Sequence, residues 1–123
     1  MRPYERFHAW RQAHDLALAV REASQAFPPE ERYSLTAQLR RAALSAPSNI
    51  AEGAAKRGPR EFRRYLDIAL GSLTEVAYLL RFARDAGVLD QEEWYQLDVQ
   101  QQRASIATWK LYKSVSHGPP SPG

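Results

Sequence analysis

The sequence predicts an all-α protein, an up-and-down antiparallel four-helix bundle, on three observations. Alanine, leucine, arginine, glutamine and glutamate dominate its 123 residues, and these types lose little on entering a helix. No stretch alternates valine, isoleucine and threonine with polar residues, as a half-buried strand would. Apolar residues instead recur at three- and four-residue spacing in four segments, separated by short gaps that hold proline or glycine. Four helices of about 20 residues, each about 30 Å long, with short connections, pack most simply as antiparallel neighbours. One domain, residues 1–116, is expected, with residues 117–123, HGPPSPG, as a tail disordered by composition.

The first segment runs from Phe7 to Phe27 and sets Trp10, Ala13, Leu16, Ala17, Val20, Ala23 and Phe27 on one face. Pro28-Pro29 ends it, because neither ring can donate a backbone hydrogen bond. The second sets Leu35, Leu39, Ala42, Ala43, Ala46, Ile50 and Gly53 in phase and closes at Lys56-Arg57-Gly58-Pro59, a cationic last turn followed by breakers. Its stripe passes through SAPSNIAEG, residues 45–53, without losing phase, which favours a continuous, bent helix in which Pro47 frees the carbonyl of Ala43. The alternative is a break at Pro47 and a restart with Ser48 as N-cap. The third segment carries Phe62, Tyr65, Leu66, Ala69, Leu73, Val76, Leu80 and Ala83 and stops at Gly87, suited to the left-handed residue after a helix. The fourth opens at Asp90 with Glu93 three positions on, close to a capping box. It continues through Trp94, Leu97, Ala104, Leu111 and Val115.

A surface helix keeps a broad polar face, and the third segment does not. Ile68, Leu79 and Phe82, with Tyr78 at their edge, lie about 120–160° around the axis from the main stripe. The fourth repeats the feature more weakly at Tyr95, Val99, Ile106 and Trp109. A lone bundle buries one stripe per helix, so the second stripe reads as a contact between copies; scattered exposed apolar residues are the plainer alternative. Ser45, Asn49 and Glu52 share one flank of helix two, and Ser72 and Glu75 one flank of helix three. Beside the small residues Ala46, Gly53, Ala69 and Gly71, they are expected to bond across a close seam and select one packing register.

Several chemistries are excluded or poorly supported. There is no cysteine, hence no disulfide or thiolate metal site. No apolar run approaches the ~20 residues of a membrane span, and the N-terminus lacks a signal-peptide core, so a cytoplasmic protein without membrane contact is expected. A bundle di-iron site needs Glu-x-x-His pairs, but neither Glu52 nor Glu75 is followed by a histidine at that spacing. No phosphate-binding glycine loop or catalytic triad pattern is present. The reading is non-enzymatic and without cofactor or metal; a hydrolase holding a hard metal on Glu52 and Glu75 is the weaker rival.

Charge is concentrated. The net charge is +3, yet residues 40–64 hold seven basic residues, Arg40, Arg41, Lys56, Arg57, Arg60, Arg63 and Arg64, against Glu52 and Glu61, a sum of +5, so the remainder sums to −2. Lys56, Arg57, Arg60, Arg63 and Arg64 converge on one end of a bundle, and such a cluster fits phosphates, making RNA or DNA, or a nucleic-acid-processing protein, the leading partner. Phe62 and Tyr65 are better explained as core, so stacking on single strands is not indicated. The plainer reading is a solvated surface that complements helix C-termini, with Arg40 or Arg41 paired to a carboxylate. A protein-binding adaptor with no nucleic acid is the alternative function.

QLRRAALSAPSNIAEGAAKRGPREFRRYLDIALGSLTE, Gln38 to Glu75, resembles the central motif of the four-helix-bundle proteins named after the intervening sequences of bacterial 23S ribosomal RNA genes. Gln38 to Ala42, Ser45 to Gly53, Glu61-Phe62 and Gly71 to Glu75 carry the likeness. Trp10, Phe27-Pro28 and Glu31 extend it to about residues 4–115, while Leu44 and Ala46 replace an expected valine and isoleucine. The resemblance implies a ring-like homopentamer. It also implies kinship with the accessory protein of diversity-generating retroelements, which works with a reverse transcriptase and its RNA. In a ring, the cationic ends of the copies gather into one positive face.

Overall fold

A computed structural model describes residues 1–117. Four helices follow a short 3-10 turn at Pro3–Arg6: α1 His8–Ser24, α2 Leu35–Ala54, α3 Pro59–Asp85 and α4 Gln91–His117. Each packs on its chain neighbours and α4 closes against α1, while the diagonal helices keep their backbones further apart and meet through the shared core. This is the up-and-down antiparallel bundle that the periodicity predicts. Leu16, Val20, Leu39, Ile50, Leu66, Leu73, Val76 and Leu80 are fully buried at its centre, each contributing about 1.5–3 kcal/mol by leaving water. His117, the first residue of the expected tail, is the last residue of α4; the rest of that segment lies outside the described residues.

The boundaries follow local chemistry. α1 stops at Ser24, three residues short of Phe27. Arg40 reaches from α2 and donates from Nε to Ser24 Oγ at 2.6 Å and from Nη2 to the Arg21 carbonyl at 3.3 Å, taking up an acceptor of the last turn. Phe27 then folds onto the core. α2 continues unbroken through Pro47, which is itself buried, so Ser48 does not restart a helix. Gly58 (φ 88°) and Pro59 at the first helical position turn the chain into α3. At the far end Gly87 (φ 77°) lets Val88 N–H donate to the Ala83 carbonyl at 2.8 Å, the six-to-one bond of a Schellman motif. Asp90 caps α4 by accepting from the Glu93 N–H at 2.8 Å. Partial burial, then the hydrogen bond and negative charge of Asp90, raise the Glu93 carboxyl above its ordinary value.

Inside the bundle, the buried Gln101 amide donates from Nε2 to the Leu73 carbonyl at 2.8 Å, tying α4 to α3. Gly53 marks a close approach of α2 to α3. A Cβ there would stand 2.7 Å from Tyr65 Cβ and 3.0 Å from Phe62 Cδ1, so only glycine admits this approach. Gly71, expected to play the same part, has open space where a Cβ would stand, with nothing within 4 Å. It faces outward, and no neighbour among the described residues requires it to be small.

Candidate nucleic-acid interface

The α2–α3 junction sets the cations in space. Because α2 ends at Ala54 and α3 begins at Pro59, the intervening turn carries Lys56 and Arg57 past the end of the helices. The first two turns of α3 then add Arg60, Arg63 and Arg64. The Phe7 and Phe62 rings, 5.4 Å apart, pack the N-terminal turn against the same end. Lys56 Nζ sits 5.4 Å from the centroid of the Tyr65 ring. Among the described residues, Arg57, Arg60, Arg63 and Arg64 make no ion pair or hydrogen bond within the chain. Arg60, Arg63 and Arg64 share the wall of an open concavity of about 620 Å³ with Glu61, Asp67 and, from α4, Tyr112.

The other two predicted cations are elsewhere. Arg40 points toward α1 and is occupied with Ser24 and the Arg21 carbonyl, so it holds two helices together and is not part of the cationic end. Arg41 lies on the opposite flank of α2, in a small polar cleft of about 210 Å³ lined also by Gln38, Ser45, Ser72 and Glu75.

At the base of that cleft the expected seam forms within one chain. Ser72 Oγ donates to Ser45 Oγ at 2.9 Å. Asn49 Nδ2 donates to the same Ser45 Oγ at 3.0 Å and to the Ser45 carbonyl at 2.8 Å. Glu52 and Glu75 are exposed and stand outside this network. The register that opposes Ser45 to Ser72 and Gly53 to Tyr65 sets Glu52 and Glu75 roughly nine residues apart along the helix pair, about 14 Å by helix rise. No group of three or more metal-ligating side chains gathers among the described residues. These two carboxylates do not form one site.

The second stripe of α3 divides in two. Ile68, Tyr78 and Phe82 are 44%, 62% and 48% exposed, but Leu79 is 6% exposed and belongs to the bundle's own core. Its angle is about 100° from the core centre, less than the 120–160° read from the sequence, and lies on the flank that carries Ser72, whose hydroxyl meets Ser45 of α2. On α4, Tyr95, Ile106 and Trp109 are exposed.

Tyr112 is the residue missed from sequence, and Trp109, read there as part of a stripe between copies, stacks on it. Their rings stack at 5.5 Å and 10°, and Tyr112 enters the arginine-lined concavity. The signal for this lies in the α3–α4 register, which brings the last turns of one helix to the first turns of the other.

The chain belongs to the 23S rRNA-intervening sequence protein family, which it matches over residues 5–107. It is similar in fold to a protein of unknown function from the S23 ribosomal protein family of Bacteroides thetaiotaomicron VPI-5482, with a TM-score of 0.80 at 17% identity. That likeness covers 86% of this chain and 96% of the other. No curated protein matches the sequence. No helix of the described residues is long and apolar enough to cross a membrane.

Proposed function

We propose that this protein is a non-enzymatic, oligomeric four-helix bundle, a homopentamer, that associates with nucleic acid or a ribonucleoprotein through the cationic end at the α2–α3 junction. The observation that carries the proposal is the convergence there of arginines with no ion pair or hydrogen bond among the described residues, Arg57, Arg60, Arg63 and Arg64, beside Lys56. An arginine fork left without a carboxylate is suited to bidentate phosphate contact. The outer face of α3, with Ile68, Tyr78 and Phe82 around the open Gly71, is the proposed contact between copies. Packed head to tail against a different surface of the next copy, this face would close a ring, in which the cationic ends stand side by side. The family name, taken from a ribosomal RNA setting, is consistent with an RNA partner.

The test is equilibrium binding of labelled duplex DNA and RNA across a salt series. Each phosphate neutralised lowers log K by about 0.9 per decade of salt on duplex DNA. The expected response is steep and linear, and it flattens when Lys56, Arg57, Arg60, Arg63 and Arg64 are all changed to glutamine. A flat wild-type response, or an unchanged slope in the variant, removes the proposal.

One observation favours a second reading, a protein-binding adaptor. Exposed Leu18 and Leu44 flank a groove of about 170 Å³ between α1 and α2, rimmed by His14, Arg21 and Arg40. A protein captured through this groove from nuclease-treated lysate, with no binding of nucleic acid by the purified chain, would decide for the adaptor.

A further inference from the structure

The cationic-end reading above, on which this step rests, narrows to one form of nucleic acid. A surface that binds phosphates alone needs no aromatic ring in its wall, yet this concavity has one, with a second ring stacked on it. Tyr112 lies in the wall of the concavity with Arg60, Arg63 and Arg64. Trp109, nearly one turn earlier on α4, is 49% exposed. Its indole lies nearly parallel to the Tyr112 ring, with centroids 5.5 Å apart and planes at 10°. Lys113 Nζ stands 5.8 Å from the Trp109 centroid. An exposed indole is thus stacked on a second ring and bordered by Lys113.

The same wall carries Glu61 and Asp67, so three arginines less two carboxylates leave the concavity at only +1. These carboxylates repel a phosphate ridge laid across the floor, as a rigid duplex would lay it, but they accept hydrogen bonds from the amino or imino N–H groups of unpaired bases, the thymine N3–H included. The arrangement favours a backbone that follows the arginines while its bases turn inward. Base-on-aromatic stacking is sequence-tolerant because every base presents a π-face, and it requires bases not already stacked in a duplex.

We infer that the cationic end, where the first turns of α3 meet the last turns of α4, binds single-stranded nucleic acid, with phosphates on Arg60, Arg63 and Arg64 and a base stacked on Trp109. The experiment measures fluorescence anisotropy of a labelled oligothymidylate and of a labelled duplex DNA, using the full chain and its W109A, W109L and W109F variants, with the assembly mass of each checked by light scattering. Loss of one stacking contact weakens single-strand binding by about five- to a hundred-fold. The expected result is that loss in W109A and W109L, near wild-type binding in W109F, unchanged duplex affinity, and unchanged mass. Leucine retains the apolar bulk without the π-face, so a merely structural role would leave W109L close to wild type.

Two results overturn the inference while sparing the cationic-end reading: equal effects of W109A on duplex and single strand, including none on either, or a fall in assembly mass, which would make Trp109 a contact between copies. If the wild-type chain binds neither probe, the cationic-end reading falls and this inference with it.

Discussion

The two ends of the bundle use the same residue type in opposite ways. At the end where α1 turns into α2 and α3 into α4, two arginines are tied to groups of the bundle. Arg40 bonds Ser24 and the Arg21 carbonyl, and Arg84 lies 4.2 Å from the Trp94 ring centroid and contacts Asp85. At the other end Arg57, Arg60, Arg63 and Arg64 have no ion pair or hydrogen bond within the described chain. Counting cations would rank the ends together; asking what each guanidinium donates to separates them. Arginines that satisfy helix carbonyls act on stability, whereas arginines left to water remain free to meet an external anion.

The comparison can be broken or sharpened by substitution. The largest stability loss is expected at Gly53, where the helices meet beneath the free cations. Gly53→Ala forces a Cβ against Tyr65 and Phe62, and chemical denaturation should show a loss of about 2 kcal/mol despite alanine's better helix propensity. Next comes Arg40→Ala at the tied end, which should cost about 1 kcal/mol by the same assay. The five-cation glutamine variant at the other end should stay within about 0.5 kcal/mol of wild type. Equal losses from those two changes would erase the distinction between the ends.

A smaller effect belongs to the seam between α2 and α3. In a double-mutant cycle, Ser45→Ala and Ser72→Ala should show a coupling of about 0.5–1 kcal/mol from their shared hydrogen bond; strict additivity would mean the bond contributes nothing. The smallest effect is expected at Glu93. Its folded carboxyl is raised above the ordinary 4.5, so the folded state holds the proton more tightly. Wild-type stability should therefore fall as pH rises from about the ordinary value through the raised one. Glu93→Gln should melt at a higher temperature than wild type above that window, and the difference should shrink below it.

Much of the fold was legible because its signals are local. Pro28-Pro29, Gly58-Pro59 and Gly87 mark ends that backbone geometry enforces, and the main stripes name Leu39, Ile50, Leu66, Leu73 and Leu80 as core without knowledge of their partners. The hydrogen bond between Ser45 and Ser72 was within reach because both lie beside small residues on facing flanks. What failed was the step from an angle on one helix to the neighbour that covers it. Leu79 sits at an angle that reads as exposed until α2 is laid against it, and Gly71 reads as a close approach although nothing among the described residues comes near. Tyr112 lies about 50 residues along the chain from the arginines whose concavity it shares, so only the α3–α4 register brings them together. Arg40 counted as a free cation until α1 ended beside it.

The proposed function turns on whether the outer face of α3 is covered by another copy, because that contact would align the cationic ends. Multi-angle light scattering on the purified chain at micromolar concentration measures it directly. The account predicts a particle of about 70 kDa, five chains of 14.0 kDa each; a particle of 14.0 kDa would contradict it.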